Sequence, residues 1–213
     1  MVEISLHNLN KIATNYDMEI SIEKTKILAF RGKDPIPSKI CLNNRLLERV
    51  NCFNYLGYSL SLIDDSDISN KIIKFLNIIG TLNSVLKPNL VQKLTRLKIY
   101  KTLARPMLAY GCEAWTIRSR DVSRITAAEM RFLRRTAGYT KWDHKRNEDI
   151  LKQLNIESII TYLTSQRRNW HNHVSRMERT RIPKQILQYV PRGKRSIGRP
   201  AKRWIESATD HMV

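Results

Sequence analysis

The spacing of apolar residues changes at Asp67, and that change constrains the fold more than any other feature of the chain. From there Ile68, Ile72, Phe75, Leu76, Ile79, Leu82 and Leu86 recur at steps of three and four until Pro88, the signature of a helix with one buried stripe. Further segments repeat the pattern. A second helix is expected over Leu90–Leu103 with Leu94 and Leu97 inward, and a third over Asp121–Ala137, stopped by Gly138. A fourth starts at Asn147-Glu148-Asp149, with acids in its first turn, and a fifth spans Ser158–Met177. A short last helix follows Pro200.

Ahead of Asp67 the texture differs. Ile4, Leu6, Leu9 and Ile12 fit an amphipathic helix over residues 2–16. Then Met18–Ile22 alternates, Ile27–Phe30 is a short apolar run, and β-like pieces follow at Lys39–Leu42 and Val50–Leu60, with a turn at Asn43-Asn44. The expected fold is α+β: a small β-rich piece followed by a mainly helical region. So small a β unit needs strands or helices from elsewhere to cover it, and the first residues read like a helix entered in its middle.

Charge follows the same division. The net charge is +19, but residues 1–90 hold 11 Lys and Arg against 9 Asp and Glu, whereas residues 91–213 hold 27 against 10. A merely solvated surface interleaves both signs, so this bias points to a polyanionic partner, with nucleic acid ahead of an anionic membrane surface. No apolar run approaches the 18 residues of a membrane span, and the apolar stripes look like core faces rather than lipid-dipping ones. Cys41, Cys52 and Cys112 have neither disulfide-framework nor C-x-x-C spacing, which favours a reducing, intracellular setting, nuclear or cytoplasmic. His171 and His173, with no Cys nearby, fit structural or solvent roles better than metal ligation.

Three patches taken together resemble one family. They are Ser21–Lys26 leading into Ile27–Phe30, then Phe53-Asn54-Tyr55-Leu56-Gly57, then the train Lys98–Trp115 with Ala104-Arg105-Pro106 and Ala109-Tyr110-Gly111-Cys112. Arg131–Gly138, Asn147–Ile150, Trp170–Met177 and Gly193–Trp204 continue in the same order. The series is similar to the end of the palm, the thumb and the region beyond it in reverse transcriptases of non-LTR retrotransposons, the LINE-like elements of animals. The resemblance implies three parts: palm end (1–62), thumb-like helices (63–115) and a basic helical C-terminal region (116–213).

It also implies chemistry. Such polymerases hold two magnesium ions on aspartates, two of them in a Y-x-D-D turn, to activate the primer hydroxyl and stabilise the leaving oxygen. No Y-x-D-D occurs in these 213 residues, so no metal is expected on this chain, and it is not expected to polymerise alone. Asp64-Asp65 falls after the Asn54–Gly57 motif, where a turn and a helix cap explain it. Lys24 matches the family lysine proposed to protonate pyrophosphate, although Ser21 stands where many relatives carry Asn. An exposed strand-end lysine is the alternative. Phe53, Asn54, Tyr55, Leu56 and Gly57 match the primer grip, and Tyr55 and Leu56 suit a core equally well.

Lys93, Arg96, Lys98 and Lys101 suit a thumb that tracks the template–primer backbone, a duplex of RNA and/or DNA. Arg131, Arg134 and Arg135 form a second basic edge, with Phe132 and Leu133 facing the core. Arg167 and Arg168 form a third, and Arg176, Lys194, Arg195, Arg199, Lys202 and Arg203 complete the set. A minor-groove hook wants Arg-Gly-Arg-Pro, but Ile197 occupies the first of those positions, and Trp204 implies packing of a following helix. The functional expectation is a reverse-transcriptase fragment with nucleic-acid-binding surfaces. The alternative is an independent basic nucleic-acid-binding module in a cellular role.

Overall fold

Two short turns organise the first third of the chain. In the computed structural model, which describes residues 2–29, 39–61, 65–85, 87, 89–190, 198 and 202–209, helix α1 (Val2–Asn15) is followed by strand β1 (Lys26–Ile27). Strands β2 (Cys41–Leu42) and β3 (Arg45–Leu46) pair antiparallel around Asn43-Asn44. Both asparagines have positive φ, 50° and 60°, the conformation that a tight two-residue hairpin requires and that Asn tolerates. Strand β4 (Glu48–Arg49) runs parallel to β1, where Lys26 and Glu48 form an ion pair.

Strands β5 (Cys52–Tyr55) and β6 (Tyr58–Ser61) form a second hairpin, in register Tyr55 to Tyr58. The expected single β piece over 50–60 is therefore folded on itself at Leu56-Gly57. Residues 18–22 form no strand; Thr25 and Lys24 instead bond back to Ser21 in a turn. These pieces make one compact unit, residues 1–67.

Residues 68–213 make the other. Helix α2 (Asp65–Val85) buries Ile68, Ile72, Phe75 and Ile79 as its spacing requires. Helix α3 (Lys93–Ile99) passes through a widened π turn, Tyr100–Ala104, into α4 (Arg105–Ala109). In that turn the Arg105 N–H reaches the Tyr100 carbonyl. Pro106 has no N–H to give the preceding turn, which accounts for the widening. The expected inward Leu94 is instead 78% exposed, and the buried track runs Arg96, Tyr100, Ala104, Leu108, four residues apart.

Helix α5 (Ser119–Ala137) ends at Gly138, whose φ of 91° is the left-handed cap expected of it. Helix α6 (Asn147–Leu154) and helix α7 (Ile159–Arg176) pack on α5. Ser158 caps α7, its hydroxyl accepting the Thr161 N–H at 3.1 Å. Helices α8 (Ile182–Gln188) and α9 (Trp204–Thr209) pack on α7; α8 is absent from the sequence expectation. The architecture is α+β, as expected, with strands confined to the first unit. The segments 63–115 and 116–213, expected as separate parts, share a core: Tyr100 stacks on Phe132 at 5.5 Å and meets Phe75 edge-on at 6.4 Å.

Candidate nucleic-acid interface

The α5 sequence sorts its residues by face. Ile125, Phe132, Leu133 and Ala137 are buried, while Arg124, Arg131 and Arg135 recur at intervals of seven and four along one stripe. Ala127 and Ala128 lie between those arginines. Their small side chains leave an open groove of about 1350 Å³, floored by Ile72, Leu76 and the two alanines. Arg124, Arg131, Arg134, Arg135, Lys141, His144 and Lys145 line it, and no Asp or Glu does among the described residues.

The far wall is the loop after Gly138, and α5 holds it in place. The Arg134 guanidinium donates to the Lys145 carbonyl at 2.8 Å and to the Asn147 side chain. The Asp143 carboxylate accepts the Thr140 N–H and hydroxyl at 2.6 and 2.7 Å. Those two bonds hold its pKa below the usual carboxylate value, so the turn is fastened by an ionised group at neutral pH. Arg134 thus positions the loop, while Arg131 and Arg135 are exposed and directed to solvent.

Two expected contacts need correction. Arg96 and Arg167 are 0% and 1% exposed and do not present their charge to a phosphate backbone. Arg96 donates to Thr136 Oγ1 at 3.2 Å and Asn83 Oδ1 at 2.9 Å, and lies 5.1 Å over the Phe132 ring. Burial, then the nearby Arg135 charge, lower its pKa. Arg167 occupies the apolar stripe of α7, four residues from Leu163 and seven from Val174, both buried. Lys93, Lys98, Lys101, Arg168, Arg176 and Arg203 are exposed and Lys202 is half-buried. Lys194, Arg195 and Arg199 lie outside the described residues.

The core beneath the groove also buries a carboxyl group, Glu129. Glu129 accepts the Tyr100 hydroxyl at 2.7 Å and the Ile159 N–H at 3.1 Å. Burial raises its pKa against those two bonds. The Cys112 thiol is buried and pushed up to about 12, by burial and then by Glu113, which makes it inert at neutral pH. The Trp204 indole donates to the Glu113 carbonyl, so the helix after the Gly-Arg-Pro segment packs against the core as the sequence implies.

In the first unit, Lys24 is exposed in the Ser21 turn. Tyr55 and Leu56 are both exposed, not core. Leu56 sits at φ 48° and Gly57 at φ 78°, and the Leu56 side chain is 73% exposed at the hairpin tip. A leucine in the left-handed region is strained, so this tip holds an apolar side chain in water at a conformational cost. Phe53 stacks on Tyr55 at 6.5 Å, and Asn54 accepts the Ser59 hydroxyl at 2.7 Å.

Lys141, Lys145 and Arg124 were not among the residues singled out from the sequence. The signal for the first two was a loop, Lys141–Arg146, with four basic or histidine side chains among six residues. His171 and His173 face the Trp204 and Trp170 rings at 6.2 and 5.5 Å. Among the described residues no cluster of His, Cys, Asp and Glu fits a metal; Asp64 lies outside them. No helix among them is long and apolar enough to cross a membrane.

Two known proteins are similar to the chain. A transposon-derived protein of Caenorhabditis elegans is 24% identical over 95% of this chain and 75% of its own length. The RNA-directed DNA polymerase from the mobile element jockey of Drosophila melanogaster is 25% identical over 69% of this chain. The matched part is only 16% of that polymerase. No family model and no solved structure matches the chain significantly. Both relatives are mobile-element proteins, and their similarity supports a transposon-related origin for the chain.

Proposed function

We propose that the chain is the nucleic-acid-holding part of a LINE-type reverse transcriptase: the end of a palm, a thumb, and the basic helical region beyond. The observation that carries this reading is the groove along α5, with seven basic or histidine side chains and no acid among its described lining. Several cations around one concave surface neutralise a phosphate backbone and release its counterions. The mobile-element relatives support the same partner, and an intracellular location, nuclear or cytoplasmic, goes with it.

In this reading the exposed Lys93, Lys98 and Lys101 lie on the thumb and Arg131 and Arg135 on the groove, all contacting the template–primer backbone. The Phe53–Gly57 hairpin presents Leu56 toward the primer end. Lys24 acts as a general acid only when paired with metal-bearing aspartates. No Y-x-D-D turn occurs in these 213 residues, and among the described residues no carboxylate cluster fits magnesium; the expectation that follows is no primer extension with magnesium, checked by a template-dependent synthesis assay. The second reading, an independent basic module, is favoured by the self-contained core of residues 68–213.

The test is equilibrium binding to an RNA–DNA hybrid, to duplex DNA and to RNA across a salt series. Four or five exposed cations in contact give a log–log slope of about −4 on a duplex. Hybrid bound in preference to duplex DNA supports the polymerase reading, and the reverse preference supports the module. No affinity for any of the three sinks both.

A further inference from the structure

Trp142 is 86% exposed, the most exposed of the large apolar side chains in the described structure. Leaving an indole in water forgoes the burial that normally places Trp in cores or interfaces. A floppy loop would explain such exposure, but this loop is fastened at both ends. Tyr139 bonds back to the Arg134 carbonyl at 2.9 Å, and Asp143 clamps Thr140. On the far side Arg134 holds the Lys145 carbonyl, and His144 sits at φ 46°, with its N–H directed to the Lys141 carbonyl at 3.4 Å. The indole is therefore presented from a turn whose backbone is already ordered.

Its neighbours decide the class of partner. Lys141, His144 and Lys145 face the groove from the same loop, and Arg131 and Arg135 face it from α5. The one acid of the turn, Asp143, spends its carboxylate on Thr140. Trp142 does not itself line the groove but stands on the loop between Lys141 and His144, which do, and an exposed aromatic ring at the edge of such a row of cations matches a ligand that is both polyanionic and flat-faced. In an intact duplex the base faces are already stacked on one another, so only an unpaired strand offers them. Apolar floor residues Ile72 and Ala128 suit bases better than phosphates.

We propose that Trp142 is a base-stacking residue, and that the α5 groove takes an unpaired stretch of RNA or DNA, phosphates along the cations and one base on the indole. This rests on the nucleic-acid reading above and deepens it, because it makes the groove a single-strand site beside any duplex-binding surface.

The test compares the full chain with W142A, W142F and a combined R131Q/R135Q/K141Q variant. Each is titrated with a labelled single strand of about 12 nucleotides, the matched blunt duplex, and an abasic strand of the same length. W142A is expected to weaken the single strand about tenfold while changing duplex and abasic strand less than about twofold. W142F keeps affinity within about threefold but loses the tryptophan quench that the single strand produces in the wild type. The combined variant weakens all three ligands.

The proposal is overturned if W142A leaves the single strand within twofold of wild type while the combined variant weakens it. It is equally overturned if W142A weakens the abasic strand as much as the normal one. Binding to phosphatidylserine vesicles that needs Trp142, with oligonucleotide binding unchanged in W142A, would assign the indole to a membrane surface instead. If the wild type binds none of the three ligands, the nucleic-acid reading itself fails, an outcome distinct from the first two.

Discussion

The two units of this chain are held by different means. In residues 1–67 the buried apolar side chains, among those described, are Ala13, Leu42 and Leu47. Residues 68–213 bury Phe75, Tyr100, Leu108, Trp115, Ile125, Phe132, Leu133, Ile159 and Leu163 around a continuous helical core. The first unit is stitched by hairpin turns and edge bonds, such as Asn10 to Asn43 at 3.1 Å and Cys41 N to Glu3 at 3.4 Å. Exposed bonds of that kind contribute little against water, while α1 leaves Val2, Ile4, Leu9 and Ile12 exposed. The lesson is that a regular sequence motif and a self-supporting core are separate properties: the hairpins have the former, the helices the latter.

The comparison breaks most sharply when the units are separated. A fragment of residues 65–213 is expected to melt cooperatively, and one of residues 2–61 to show no cooperative transition by circular dichroism or calorimetry. A cooperative melt of the short fragment would show that its few buried residues suffice.

Next in size is the contrast between buried and exposed arginines of the helical unit. Arg96→Ala removes the partner of Thr136 and Asn83 and opens a cavity over Phe132, and should cost about 2–4 kcal/mol in chemical denaturation. Arg135→Ala should cost less than about 0.5 kcal/mol and weaken nucleic-acid binding instead. If the two variants exchange these phenotypes, the assignment of one arginine to the core and the other to the groove is wrong.

A smaller effect comes from Glu129. Its folded pKa lies above the ordinary 4.5 of a free carboxyl, so the folded state binds more protons than the unfolded one in that window. Its contribution is therefore fully present below about pH 4.5 and is lost as pH rises through the raised folded value. Stability of the wild type relative to Glu129→Gln should fall with pH across that window and flatten above it. Asp143 behaves oppositely. Its depressed pKa makes the loop clamp complete above the free-carboxyl value of 3.8 and lost on acidification through the folded value.

The smallest effect is at Gly138. An added Cβ would meet nothing within 4 Å, but φ is 91°. Gly138→Ala should lower stability by about 1 kcal/mol from backbone strain alone, readable as a shift in melting temperature.

Much of this was legible locally. Gly138 as the stop of α5, Ser158 as the start of the α7 segment and Asn43-Asn44 as a turn each depend on a few consecutive residues. The α2 stripe was legible because four of its members fall on one helical face. Partners distant in sequence were not: Arg96 owes its burial to Thr136 and Asn83, 40 and 13 residues away. Even there a trace existed, since Arg96 shares a four-residue track with Tyr100, Ala104 and Leu108, and Arg167 shares one with Leu163. The overall basic bias, which assigns each of these arginines to a nucleic-acid surface, masked it. The short helix α8 spans only seven residues, so its one apolar repeat, Ile182 to Ile186, is too brief to stand out, and both side chains are exposed. The groove needed the Arg134 clamp, which draws a loop beside α5 that spacing alone does not bring there.

The central claim is that the α5 groove binds nucleic acid through its cations, and the salt dependence of single-strand binding tests it most directly. The R131Q/R135Q/K141Q variant and a control with the same charge change outside the groove, K74Q/K87Q/K152Q, would be compared with the wild type. Loss of three phosphate contacts makes the log–log slope shallower by about 2 in the groove variant, with the control within about 0.5 of the wild type. Equal slopes in the two variants would mean that net charge, and not this groove, holds the nucleic acid.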